Sequence, residues 1–454
     1  MLPARAGIAF IGVVIALACT GTRETPAPPL VTWIDCAEPA PGVRCGSIGV
    51  SEDRGAAAGR RIDIHFDVLS AAGPERREPV FALAGGPGDA STGLRGAIAR
   101  AWPAVRDRRD VVLVDQRGTG RSSPLHCAMN VAADPASAFG HIFDRTLFTR
   151  CRETLAATHD LGAYTTAAAA DDLDEIRAAL GYEKIIVWGG SYGTRLAQAY
   201  VQRHGPRAAF LVIDGVAPID VAIIGRYPVH LQAAVDAVPD AAAPLHRLAA
   251  QLHSAPARTT LVDHSGRRVP VTMTIGDFAY SVRGILYGAQ GSMQLATLLR
   301  AAEHSGDLTL FAQRYWERAV RMDNNLAHGL HLSVLCGEDV PFVSAEDRRA
   351  AESTLGGTYL LDEYQAACRI WNVRPVARST PEPRTMPALL LSGRFDPVTP
   401  AAMAERTAAW LPAAKLFTAP TAGHGVSFAC GAGAVAAALA DGSAASLSSV
   451  CASR

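Results

Sequence analysis

The sequence predicts an α/β fold: a mostly parallel central sheet with helices on both faces and an inserted, mainly helical cap. Three observations predict it. Short apolar runs of the kind that become doubly buried strands recur at 79–84, 110–115, 185–188 and 210–214, with helical stretches between them. From about 221 to 384 that pattern stops and helical segments dominate. The strand signature then resumes at 388–391 and 415–418, which marks the middle stretch as an insertion over one sheet rather than more of the sheet.

Taken in order, residues 61–69 alternate polar and apolar, as a strand with one solvated face does. Between the first two buried runs, Ser91 to Val105 can form a helix. In 168–180, Leu173, Ile176 and Leu180 share one helical face and Gly181 stands where a C-terminal cap belongs. The run Ile185–Trp188 leads into an amphipathic stretch through Leu196, Ala197, Tyr200 and Val201, closed by Gly205-Pro206. Within the insertion, helices are expected near 275–288, 292–304, 307–320 and 358–371, with a hairpin turning at His264-Ser265-Gly266. Arg378 to Arg384, near Pro375, Pro381 and Pro383, reads as the return linker, and 401–410 as a helix between the last two strands. The expected division is a signal peptide at 1–18, a tether at 19–30, core at 31–220, cap at 221–384 and core again at 385–454.

Composition narrows the function. The 454 residues can hold one large domain with an insertion, or two to three ordinary domains. Hydrophobic residues make up 49% and charged residues 19%, as in a well-packed globular protein. Lys+Arg and Asp+Glu both number 43, so there is no basic excess for nucleic acid and no charge run for an electrostatic membrane face.

Arg5 precedes an apolar stretch from Ala6 to Ala18, too short to span a bilayer but suited to a signal-peptide core; a retained anchor helix is the alternative. The stretch ends in Ala16-Leu17-Ala18-Cys19, both a cleavage site and a degenerate lipobox with Cys19 as the acylated residue. Thr20 to Pro29 then reads as a short tether, and membrane contact is expected only through a lipid on Cys19. Setting Cys19 aside, the nine cysteines leave four sequence-near couples: Cys36–Cys45, Cys127–Cys151, Cys336–Cys368 and Cys430–Cys451. Four disulfides imply an oxidising compartment.

The chemistry gathers around Gly189-Gly190-Ser191-Tyr192-Gly193. Strand, tight turn, helix is the context in which G-x-S-x-G holds a nucleophilic serine, with flanking glycines because a strained turn leaves no room for Cβ atoms. A serine hydroxyl needs a base, and the base an orienting acid. Two loops that follow strands carry them: Asp396 in Ser392–Pro400 would fix the histidine's tautomer, and His424 in Thr421–Gly425 would take the Ser191 proton and return it to the leaving group. An oxyanion needs backbone donors. Tyr192 supplies one N–H, and Gly86 in Ala84-Gly85-Gly86-Pro87-Gly88, directly after a strand, supplies the other.

With these motifs in place, the chain resembles a family. Gly85-Gly86-Pro87-Gly88, Asp115-Gln116-Arg117-Gly118-Thr119-Gly120-Arg121-Ser122 and Gly189–Gly193 look like the proline iminopeptidase and tripeptidyl aminopeptidase branch of the α/β-hydrolases. The segment with Asp396 and His424-Gly425-Val426-Ser427-Phe428 is similar to the tail of secreted tripeptidyl aminopeptidases. The resemblance covers essentially the whole mature chain. It implies removal of residues or short peptides from free N-termini through an acyl-enzyme on serine, with no metal or other cofactor. Ala84 stands where proline iminopeptidases often have histidine, which favours the tripeptidyl branch over strict proline specificity.

Capture of an α-ammonium calls for buried acids. Relatives place cap acids at a comparable point, so Glu338, with Asp339, is the expected substrate anchor, steadied by a Cys336–Cys368 bridge. His328-Gly329-Leu330-His331 has two histidines three apart but no acid or cysteine cluster to complete a metal site. Asp115 and Arg117 are expected to form a salt bridge bracing the elbow. Two rival readings remain: a carboxylesterase with the same triad, and a catalytically silent fold used for binding.

Overall fold

The computed structural model describes Met1 and residues 30–56, 59–74, 76–378 and 380–451. The expected signal peptide and all but the last residue of the tether, Cys19 included, lie outside the described residues beyond Met1. Among the described residues there are eleven strands: β1 (Thr32–Ile34), β2 (Val43–Ser51), β3 (Arg61–Leu69), β4 (Val80–Leu83), β5 (Val111–Val114), β6 (Ile185–Gly190), β7 (Ala208–Asp214), β8 (Ala257–Val262), β9 (Arg268–Met273), β10 (Ala388–Gly393) and β11 (Ala414–Ala419).

Nine of them form one sheet in the order β1-β2-β3-β5-β4-β6-β7-β10-β11. Pairings from β1 to β5 along this order are antiparallel, and every pairing from β5 to β11 is parallel. The parallel half is covered on both faces, so β4, β5 and β10 are buried along their whole length. Alternation divides β6 between two cores: Ile185 and Val187 pack with helices Thr166–Ala179 and Tyr192–His204, while Ile186 and Trp188 pack with helix Ala432–Asp441.

β10 pairs with β7 although the whole insertion separates them in the chain. The insertion carries helices Ile223–Asp236, Ala242–Ser254, Ile275–Tyr287, Gly291–Ser305, Thr309–Asn325, His328–Glu338, Ala345–Glu352 and Tyr359–Trp371, with the β8–β9 hairpin between the second and third. Most of these helices pack around a core of their own, built on residues such as Leu245, Phe278, Leu299 and Trp316. Among the described residues no helix is long and apolar enough to cross a membrane.

Three local outcomes differ from the sequence expectation. Ser91–Val105 is not one helix but Ser91–Leu94, Arg95–Ala101 and Pro103–Asp107 in succession. Pro103 has no N–H to donate and pushes Trp102 out of helical geometry, to φ −124° and ψ 46°. Helix Ile223–Asp236 runs through Pro228, a residue that reads as a breaker. Helix His328–Glu338 is buried on nearly every side, so no amphipathic period announces it. All four expected disulfides are formed, with Cα–Cα separations of 5.2–5.7 Å.

Candidate active site

Ser191 sits between β6 and helix Tyr192–His204 at φ 55° and ψ −123°, a conformation that is a genuine strain for a residue with a side chain. The neighbours explain how it is held. A β-carbon on Gly189 would stand 2.3 Å from the Gly193 carbonyl oxygen, and one on Gly193 would stand 2.3 Å from that of Leu83. The turn closes only because both are glycine. Ser191 N–H donates to the Asp214 carbonyl at 2.9 Å, and the Ser191 carbonyl accepts from Thr194 Oγ1 at 2.6 Å.

Tyr192 opens the following helix, so its N–H belongs to the first turn, which has no intrahelical acceptor. The Gly85–Gly88 loop follows β4 and presses on the same point. A β-carbon on Gly85 would lie 2.9 Å from Ser191 Cβ, and Gly86 and Gly88 adopt φ of 104° and 116°, open to glycine alone.

His424 and Asp396 meet in the loops after β11 and β10. His424 Nδ1 donates to Asp396 Oδ2 at 2.7 Å, with the two side chains 8% and 0% exposed. Asp396 Oδ1 accepts from the N–H groups of Val398 and Thr399, and Thr399 Oγ1 donates to Oδ2 at 2.7 Å. Burial pushes this carboxyl up, but the His424 cation and these donors outweigh it and hold it below the usual aspartate range. Burial pulls His424 down, yet Asp396 and Tyr287 raise it to about 9. The Tyr287 ring centroid is 4.4 Å from that of the imidazole.

Ser191 and His424 line one cavity of roughly 400 Å³ between sheet and insertion. Gly85 and Gly86 form part of its wall, and Tyr227, Tyr280, Arg283 and Arg318 close it from the cap.

Family models match this chain in two places: one described as alpha/beta hydrolase fold over residues 79–256, the other as TAP-like protein over 353–451. The chain is an α/β-hydrolase. Serine protease Hip1 of Mycobacterium tuberculosis is 26% identical over 422 residues, covering 82% of this hydrolase and 80% of that relative. Tripeptidyl aminopeptidase of Streptomyces coelicolor is 30% identical over 207 residues, 41% of this chain and 38% of the relative. Proline iminopeptidase of Neisseria gonorrhoeae is 33% identical over 155 residues, 34% and 37% respectively.

The hydrolase's cap acids are not where the sequence reading placed them. Glu338 and Asp339 do not line the cavity of Ser191. Glu338 accepts from Thr166 N–H at 2.6 Å and Thr166 Oγ1 at 2.5 Å, and Thr166 Oγ1 lies 2.8 Å from the Tyr192 hydroxyl. Asp339 accepts from Ile223 N–H at 2.7 Å and lies 3.5 Å from Arg195. The expectation that this pair faces substrate is corrected. Both acids satisfy buried donors around the elbow helix.

The Asp115–Arg117 salt bridge is also corrected. Asp115 accepts from Thr92 N–H and Oγ1 and from Arg121 N–H. Arg117 instead grips Asp172 with two bonds of 2.7 and 2.8 Å. His331 is part of the cavity wall: Nδ1 donates to the Pro87 carbonyl at 2.8 Å and Nε2 accepts from the Tyr364 hydroxyl. Burial pulls it down to about 4 and its neighbour His328 to about 3, so both rings are neutral at physiological pH.

Sequence reasoning missed several residues of the hydrolase's site. Asp214 ends β7 and accepts from Val426 and Ser427 N–H at 2.7 and 2.6 Å, fixing the chain just past His424. An acid closing a buried strand was the available signal. Thr399, three residues past Asp396, had the signal of an Asx-type turn. The cap residues Tyr287, Arg283 and Arg318 had none, because nothing local reveals which helix face meets the sheet.

Proposed function

We propose that this hydrolase is a serine peptidase that cuts amide bonds near the free N-terminus of peptides, in the manner of tripeptidyl or prolyl aminopeptidases. Ser191 attacks the carbonyl and forms an acyl-enzyme, and His424 takes the hydroxyl proton and delivers it to the departing amine. Asp396 keeps the Nδ1 proton on the histidine and stabilises the imidazolium. The N–H groups of Tyr192 and Gly86 receive the oxyanion. The observation that carries the reading is the His424–Asp396 bond of 2.7 Å, with His424 lining the same cavity as the strained Ser191. Relatives named serine protease, tripeptidyl aminopeptidase and proline iminopeptidase support peptides over other acyl donors.

With Glu338 and Asp339 elsewhere, ammonium capture falls to Asp89. Among the described residues two acids line the cavity, Asp89 and Asp214, and Asp214 is committed to backbone donors. Burial pushes the Asp89 carboxyl up, so an incoming ammonium would restore its charge. Export, with a lipid on Cys19 as its anchor, belongs to the same proposal. The four disulfides support an oxidising compartment.

Chromogenic mono-, di- and tripeptidyl amides, each free and N-acetylated, assayed beside short acyl esters, test the reading. Turnover of free-amine amides, lost in Ser191→Ala and weakened through KM in Asp89→Asn, is expected. Hydrolysis of esters alone would instead establish the carboxylesterase. Failure of Ser191 to react with a fluorophosphonate would leave only a silent binding fold.

A further inference from the structure

The cap side of the cavity is cationic, and neither acyl transfer nor ammonium capture uses that charge. Helix Ile275–Tyr287 turns Tyr280, Arg283 and Tyr287 toward the cavity, at the i, i+3, i+7 spacing that puts side chains on one face. Arg318 and Arg321 add to the lining from helix Thr309–Asn325.

Arg283 is 7% exposed, and its Nε has no hydrogen-bond partner. Among the described residues no carboxylate pairs with it. Its guanidinium lies instead among rings, 4.6 Å from the centroid of Tyr227, 5.2 Å from Tyr280 and 5.5 Å from Tyr287. Arg318 sits 4.7 Å from the Tyr287 centroid and 5.3 Å from that of Tyr280, and its Nε is likewise without a partner.

Arginine cannot shed its proton, so a buried one must find an anion or bear the desolvation. Stacking on tyrosine faces offsets part of that cost but leaves the buried Nε–H without an acceptor. The field of the pair is visible on its neighbours. Burial pushes the Tyr280 and Tyr287 phenols up, yet Arg318 and Arg283, joined at Tyr287 by His424, bring both below the ordinary tyrosine value. Of the two cavity acids, Asp89 answers Arg318 at longer range and Asp214 is spent on the loop past His424. Tyr287 neighbours both groups, 5.5 Å from the Arg283 guanidinium and 4.4 Å from the His424 ring, and Arg283 lines the same cavity as Ser191 and His424.

We infer that Arg283, seconded by Arg318, binds a carboxylate of the substrate, so that the enzyme selects peptides carrying an anionic group close to the scissile bond. That carboxylate comes either from an acidic side chain or from the free C-terminus of a short peptide. The inference rests on Ser191 being the acylated residue of this cavity. Its test uses binding, which does not require turnover.

Calorimetry on the Ser191→Ala protein would compare tripeptide amides with Glu or Gln at each position in turn, and trialanine as free acid or amide. Binding about tenfold or more tighter is expected for one Glu position, if the side chain is the source, or for the free acid, if the terminus is. Arg283→Met in the same background should erase that preference and leave the neutral peptides within about threefold, while Arg283→Lys keeps part of it. Should Arg283→Met fail to fold, Arg318→Met carries the test and should weaken the preference. Equal affinity for Glu and Gln at every position together with equal affinity for acid and amide overturns the inference, as does a preference that survives both arginine changes. Amide turnover by the wild-type enzyme, measured in parallel, reports on the peptidase reading separately.

Discussion

Gly85 approaches Ser191 so closely that a β-carbon built on the glycine would stand 2.9 Å from the serine Cβ and 3.1 Å from the Gly190 carbonyl oxygen. The glycine loop and the elbow are therefore one mechanical unit. Gly85→Ala forces the loop away from Ser191 and with it the Gly86 donor. Activity should fall by about 10²–10³-fold in kcat, the usual result of losing one oxyanion donor. The melting temperature should fall as well, since the added β-carbon meets the packed elbow rather than open space. A variant that keeps full kcat would show that the loop contributes no donor.

Asp396 is held by four donors, of which His424 is only one. Asp396→Asn keeps the shape but presents an N–H to the imidazole, inverting the tautomer. A loss on the order of 10⁴-fold in kcat is expected, by analogy with the same change in a serine protease. Thr399→Val removes a single donor and should cost far less. Comparable losses in the two variants would contradict this ranking.

Acidity offers a third check. On the proposed mechanism His424 is neutral when it accepts the serine proton; its value is raised to about 9 despite burial because Asp396 and Tyr287 favour the imidazolium. A raised histidine is protonated below that value, so kcat/KM should climb with pH along a limb well above histidine's ordinary ~6.5. Tyr287→Phe removes the tyrosine's contribution and should move the limb downward. A wild-type limb at or below the ordinary value, or no movement in the variant, would sink this account.

Glu338 supplies a fourth test because its role is structural. Glu338→Ala strips the acceptor from Thr166 N–H and Oγ1 inside the protein. A stability loss of about 1–3 kcal/mol is expected from the stranded donors, read as a lower denaturant midpoint. The ratio of activity on free-amine and N-acetylated peptides should stay unchanged. A selective loss on free amines would return the residue to substrate binding.

These particulars show which parts of the molecule were legible in advance. Ser191, Asp396 and His424 each lie just past a strand of the parallel half, in loops where glycine or proline marks an unusual backbone path. Strand ends and turn residues are local facts, and local facts survive in a sequence. The sheet's parallel half was readable for the same reason. Glu338 was misplaced because a buried acid beside a helix end looks the same whether it faces a substrate or Thr166. Arg117 was matched to the wrong acid because Asp115, two residues away, is near in sequence, whereas Asp172 comes from a helix that folds over it. Arg283 and Tyr287 were invisible, since their meaning depends on how a cap helix is rotated over the sheet.

The pairing of β10 with β7 across the whole insertion has a consequence for the order in which the molecule becomes dangerous. A chain made from its N-terminus completes the elbow at 191 early, but its expected base at 424 arrives only after every cap helix has been synthesised. Until β10 slots against β7, the serine has no histidine to arm it. On the proposed mechanism a half-made copy lacks its base, so the sheet's last two strands are what bring the serine and histidine into one site.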